Sequence, residues 1–242
     1  MTGLLASVMT PEEAGTAVAG GADIIDLKDP RQGALGALPA ATIRACVARV
    51  AGRRPVSATA GDLPMEPAIV AAAVERLGAL GLDFVKIGIF PGGDVAACLD
   101  TLAQQGRRRG VRLVAVLFAD QEPDFDLIPL LREHDFAGVM LDTADKAGGG
   151  LRDHLSPERL GAFAEAARAA DLITGLAGSL RRDDIAALLP LAPDYLGFRG
   201  ALTRAGRTTG LDPAALAAVR ATIPMRQSTF SVLPRTADSG LH

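Results

Sequence analysis

Residues 20–37 read GGADIIDLKDPRQGALGA, and this stretch sets the reading of the whole chain. An apolar run over 23–28 carries an aspartate and a lysine two residues apart, then enters a turn rich in Pro and Gly. Side chains alternate across a strand, so Asp26 and Lys28 share one face while Ile25 and Leu27 take the other. The pattern predicts a parallel strand packed against helices on one side, delivering charged groups to a loop end on the other.

Outward from that stretch the same unit recurs. Short apolar runs predict strands at LLASV (4–8), DIIDLK (23–28), PVSATA (55–60) and FVKIGI (84–89). Four more follow at LVAVLFA (113–119), GVMLDTA (138–144), ITGLAG (173–178) and YLGFRG (195–200). Between them lie segments of helical period, among them 11–21, 66–81, 156–170 and 212–223. Ser156-Pro157-Glu158 is a helix-start signal. Eight β–α units in this length predict an α/β fold, a single (β/α)8 TIM barrel over residues 1–224. Residues 225–242 show no helical period and are expected to form a short, loose tail. An open doubly wound sheet is the rival, but no GxGxxG follows the first strand.

Composition narrows the partners. The chain has 242 residues, 49% of them hydrophobic, enough for one large core. A net charge of −3, one Tyr and no Trp speak against a nucleic-acid surface. No apolar run approaches the roughly 20 residues that span a bilayer, and the first residues lack a basic-then-apolar leader pattern. Cys46 and Cys98 are far apart with no CxxC spacing, so a reduced cytoplasmic setting is expected. His134 and His154 have no metal-ligand spacing, and neither a metal nor a cofactor is expected. A small phosphorylated molecule is the expected partner, and a homo-oligomer is compatible with the sequence.

The cations are informative in another way. Of 25, only Lys28, Lys86 and Lys146 are lysine; the other 22 are arginine. Where almost every cation is written Arg, the positions kept as Lys are candidates for an amine that must shed its proton, which a guanidinium does not do. Lys28 and Lys86 fall on predicted strands, and Lys146 follows Asp142 by four residues in the loop after the sixth. All three therefore belong to the end of a barrel where active sites are built. Crowded ammonium groups in a partly desolvated mouth lower one another's proton affinity, so a free amine can attack a carbonyl and form a Schiff base. Asp26, Asp142 and Asp120 could return negative charge and relay protons.

An anion site is predicted beside them. Barrels often bind phosphate with the loops after the seventh and eighth strands, here GLAGSLRRDDI and YLGFRGALTR. Gly178 and Ser179 are expected to open a helix, with Gly200 and Arg199 close by. Ser57 and Thr59, on one face of SATAGD, are a second candidate. The same residues also fit a sugar-phosphate aldolase that stops at the aldol, or a phosphate-binding barrel without turnover.

With these residues placed, the chain resembles the (5-formylfuran-3-yl)methyl phosphate synthases of methanofuran biosynthesis. The matching stretches are GGADIIDLKDPRQGALGA, VSATAGDLP, DFVKIG, VMLDTADK, LAGSL and GFRGA, spread over about 85% of the chain. The resemblance implies a lyase that condenses two molecules of glyceraldehyde 3-phosphate into a phosphorylated furan aldehyde, with loss of phosphate and water. It implies Lys28 as the Schiff-base lysine and Lys86 as the proton acceptor, with Lys146, Asp26 and Asp142 lining the site. The Arg- and Ala-rich composition looks bacterial, and the resemblance extends to methylotrophic bacteria that use a methanofuran-type carrier in one-carbon oxidation, where this chain is expected to belong.

Overall fold

Side chains along each strand divide between two apolar layers, and that division builds the molecule. The structure, a computed structural model, describes residues 1–224; the tail expected over 225–242 lies outside them. Eight parallel strands close into a barrel in chain order. They are β1 (Gly3–Val8), β2 (Ile24–Leu27), β3 (Val56–Thr59) and β4 (Phe84–Gly88), then β5 (Arg112–Phe118), β6 (Gly138–Asp142), β7 (Ile173–Leu176) and β8 (Tyr195–Phe198). The helices are α1 (Pro11–Ala19), α2 (Ala40–Val50), α3 (Pro67–Gly78), α4 (Val95–Arg109) and α5 (Leu127–Glu133). The short α6 (Leu151–His154) precedes α7 (Pro157–Ala169), and the short α8 (Ile185–Leu188) precedes β8 and α9 (Pro213–Thr222). The chain is a TIM barrel.

Ile25, Leu27, Val85, Ile87, Val139 and Leu141 face outward into the layer shared with the helices, all at most 1% exposed. Each such side chain contributes about 1.5–3 kcal/mol by leaving water. Their neighbours Ile24, Phe84 and Met140 point inward and, with Leu5, Val114 and Tyr195, plug the N-terminal end of the barrel. Above that plug the inward positions become Ser7, Asp26, Lys86 and Asp142. The chemistry therefore occupies an interior layer whose floor is dry.

Helix starts follow local sequence. Thr10, Asp94, Ser156 and Asp212 accept a backbone N–H of the first turn, and α1, α3, α7 and α9 carry proline there. The last strand pairs with the first along Gly3–Ala6 and Tyr195–Phe198, which closes the barrel.

Local expectations change at the strand ends and after β7. Strands β2, β3, β7 and β8 stop one or two residues short of the expected bounds, and the sixth, expected to run to Ala144, stops at Asp142. The N–H groups of Ala144 and Asp145 turn away from the ladder to bind the Asp120 carboxylate, at 2.7 Å each. Gly178 and Ser179 were expected to open a helix, and instead both are left-handed, with φ of +101° and +48°. The helical turn begins at Arg182, where the Asp184 carboxylate accepts the Arg181 N–H at 2.8 Å.

Candidate active site

Three strands, β2, β4 and β6, bring the lysines and carboxylates together at the C-terminal mouth. Asp26, fully buried on β2, accepts hydrogen bonds from Ser7 Oγ at 3.0 Å, Ser57 Oγ at 2.6 Å and Lys86 Nζ at 3.0 Å. Strand register dictates this set, because Asp26 stands beside Ser7 on β1 and Ser57 on β3. Lys86 reaches it from β4. The result is a closed ion pair with no solvent contact on the carboxylate side.

Asp142 organises the second cluster. Its Oδ2 accepts Lys28 Nζ at 3.1 Å, and its Oδ1 accepts Lys146 Nζ and the Thr143 N–H. Lys146 also donates to the Thr143 carbonyl. Burial alone would raise the Asp142 carboxyl, but the ammonium groups of Lys28 and Lys146 outweigh it and hold the group well below the usual carboxylate range. Burial has the upper hand at Lys146. It pushes this amine down to about 8 against the pull of Asp142, and the Lys28 ammonium pushes the same way. One carboxylate thus touches two amines, one of which holds its proton loosely near neutral pH.

Lys28, Lys86, Lys146 and Asp142 line one cavity of about 530 Å³. Gly178 and Ser179 after β7, and Arg199 and Gly200 after β8, form its opposite wall. That volume accommodates small phosphorylated molecules. Three further residues singled out in the sequence stand outside it. Ser57 supports Asp26 from β3 and borders a small void of about 30 Å³ beneath Lys86. Thr59, fully buried, donates to the Gly36 carbonyl at 2.9 Å. Asp120 fastens the loop that carries Lys146.

Arg199 lines the cavity, yet its guanidinium is engaged on every side. Both Nη atoms bind the Glu13 carboxylate at 2.7 and 3.1 Å, and the remaining donors reach the carbonyls of Ser7, Arg207 and Thr209. This Arg organises protein rather than meeting ligand. Sequence reasoning passed over Ser7, Glu13 and Arg207. Ser7 could have been found by its phase, two residues beyond Leu5 on the inward face, and Arg207 by its place in the Gly-flanked loop TRAGRTTG. Nothing local marks Glu13, 186 residues from its partner. Among the described residues no group of three or more His, Cys, Asp or Glu is placed to hold a metal ion. Likewise, no helix among them is long and apolar enough to cross a membrane.

Comparisons with known proteins identify the fold and the family. By structure, the chain is similar to phosphoribosyl anthranilate isomerase from Thermotoga maritima, with a TM-score of 0.68, 14% identity, and coverage of 92% of this chain and 98% of that one. That likeness reports the barrel alone. By sequence, it is 46% identical over 215 residues to a provisionally named (5-formylfuran-3-yl)methyl phosphate synthase of Methylorubrum extorquens, covering 88% of each chain. It is 37% identical over 213 residues to the (5-formylfuran-3-yl)methyl phosphate synthase of Methanopyrus kandleri, covering 84% of this chain and 90% of that one. The family model described as 4-HFC-P synthase matches residues 4–220, a span that holds all three lysines and both buried carboxylates. The chain is an enzyme of synthase type and belongs to the 4-HFC-P synthase family.

Proposed function

We propose that the protein joins two molecules of glyceraldehyde 3-phosphate into (5-formylfuran-3-yl)methyl phosphate through an imine on Lys28. One inorganic phosphate and two waters leave, which balances the atoms. The product is the one in the names of the relatives. The observation that carries the mechanism is the shared carboxylate, Asp142, lying in contact with both Lys28 and Lys146 in one cavity.

Lys28 must shed a proton before it can attack. A neutral Lys146, with its affinity lowered to about 8, can take that proton through Asp142. The free Lys28 amine adds to the aldehyde of one triose phosphate, and loss of water gives the imine. The imine draws electrons from the neighbouring carbon, whose proton passes to Lys86 from the β4 side once Lys86 has handed its own proton to Asp26 across their 3.0 Å contact. The resulting enamine attacks the aldehyde of the second molecule. Phosphate elimination, dehydration and ring closure complete the furan, and water releases it from Lys28. Asp26 keeps Lys86 aimed into the cavity throughout, itself held by Ser7 and Ser57.

The test is reduction with borohydride in the presence of glyceraldehyde 3-phosphate, followed by intact mass and peptide mapping. A stable adduct on Lys28 and a furan chromophore in unreduced reactions are expected, and Lys28→Arg loses both. Normal furan formation by Lys28→Arg would refute the imine, and a linear sugar phosphate as the end product would refute the furan.

A further inference from the structure

Residues 200–212 form a strap over the mouth that the lysine chemistry leaves unexplained. The chain leaves β8 through a single turn, Gly200–Leu202, and doubles back so that Thr203 bridges Leu211 before α9 begins. Thr203 Oγ1 fastens the bend to the Gly200 and Gly206 carbonyls at 2.9 and 3.0 Å. Arg199 holds the strap from below. Its Nε donates to the Arg207 carbonyl at 2.7 Å and its Nη2 to the Thr209 carbonyl at 2.5 Å, while Glu13 fixes the guanidinium from α1. The pinned carbonyls are those of residue 207 itself and of Thr209, two residues on.

The side chain so presented is a second guanidinium. Arg207 lines the same cavity as the three lysines. Among the described residues its guanidinium makes one hydrogen bond, a long one of 3.3 Å from Nη2 to the Gly33 carbonyl in the loop after β2. A planar fork with its other donors open, half-buried beside a cavity, matches the oxygens of a phosphate far better than it matches water.

The charges around the cavity call for such a partner. Among the described residues seven cations (Lys28, Lys86, Lys146, Arg181, Arg182, Arg199 and Arg207) and one carboxylate, Asp142, line the cavity. Counting Asp26 and Glu13, which pair with Lys86 and Arg199, the excess is still four positive charges. A phosphate monoester carries about −1.5 to −2 at neutral pH. Burial lowers the affinity of Arg207 for its proton, and the Arg199 charge pushes the same way against the pull of Asp142, so an incoming anion relieves both effects.

We propose that Arg207 grips the phosphate of the bound triose phosphate, presented by a strap that Arg199 and Glu13 hold in place. This deepens the functional reading above and rests on it for the identity of the substrate. Arg199 is then a positioning residue and Arg207 a substrate-binding one.

The experiment compares wild type, Arg207→Gln and Arg207→Lys in borohydride trapping with glyceraldehyde 3-phosphate and with unphosphorylated glyceraldehyde. Binding of inorganic phosphate is measured alongside by calorimetry. Loss of one charge-assisted grip corresponds to about 10–100-fold. Arg207→Gln should lose that factor in trapping of the phosphorylated aldehyde and in phosphate affinity, with Arg207→Lys between it and wild type. In Arg207→Gln, trapping of glyceraldehyde should fall much less than trapping of the phosphorylated aldehyde, since its loss reflects only the Arg207 charge that helps lower the Lys146 amine. Undiminished preference for the phosphorylated aldehyde in Arg207→Gln overturns the proposal, and so does an equal loss with both aldehydes, which would mean the strap had collapsed. If wild type traps neither aldehyde, the imine reading falls, yet the phosphate titration still decides the role of Arg207.

Discussion

Asn in place of Asp26 tests the logic of the buried layer most directly. Asp26 is fully buried and Lys86 is 3% exposed, so removing the carboxylate charge strands an ammonium away from water. Breaking such a pair from one side costs about 3–5 kcal/mol. Ser7 and Ser57 do not add to that cost, because each hydroxyl can turn to meet an amide as donor or acceptor. With an m-value of about 3 kcal/mol/M in urea, the unfolding midpoint of Asp26→Asn should fall by about 1–1.7 M. The companion variant, Asp26→Asn with Lys86→Met, removes the stranded charge and keeps the length of the side chain. Replacing both members of a buried pair by groups of similar size is close to neutral, so its midpoint should return to within about 0.3 M of wild type by the same m-value. The assay is equilibrium urea unfolding followed by far-UV circular dichroism at pH 7, where Lys86 is compared only between variants. A single variant as stable as wild type, or a double variant no better than the single one, would refute the claim that Asp26 serves chiefly to neutralise Lys86.

Three further outcomes follow from the same layer and its surroundings. Because the Lys146 amine is lowered to about 8, kcat/KM should rise as pH increases through that value, and Lys146→Arg, permanently protonated, should lack the rising limb in a pH–rate profile. The same shift acts on folding: the unfolded chain holds the Lys146 proton up to about pH 10.4, so wild-type stability should gain with pH between about 8 and that value, more than Lys146→Met does in urea titrations. Cys46 is fully buried in α2, and burial, with Glu12 and Glu13 nearby, pushes its thiol up to about 11, so a thiol reagent at neutral pH should label it only after denaturant is added.

The barrel is legible in the sequence for a simple reason. Parallel strands buried on both faces must be short apolar runs, and in this chain Gly, Pro and Asp punctuate them cleanly. Errors cluster at strand ends, where side chains rather than propensity decide. β6 stops at Asp142 because Asp120 captures the N–H groups of Ala144 and Asp145, and no window of local sequence contains that pairing. The lysines stand out because arginine fills every other cationic position, and alternation predicts the face taken by Lys28 and Lys86. Their partners are less visible. That Lys146 shares Asp142 with Lys28 depends on a loop bending back over β6, and that Arg199 is spoken for depends on Glu13 at the far end of the chain. Turn direction and long-range pairing, rather than composition, separate an arginine that holds a loop from one that faces a cavity.

The seam between the first and last strands also carries a consequence for biosynthesis. Glu13 and the pairing edge of β1 emerge from the ribosome early, whereas β8, Arg199 and the carbonyls of Arg207 and Thr209 emerge nearly 200 residues later. A nascent chain must therefore carry an open sheet edge through most of translation, the condition under which strand edges recruit wrong partners. Closure of the mouth waits for the strap that follows β8, so a product truncated before it keeps the amines but has no finished chamber in which to use them.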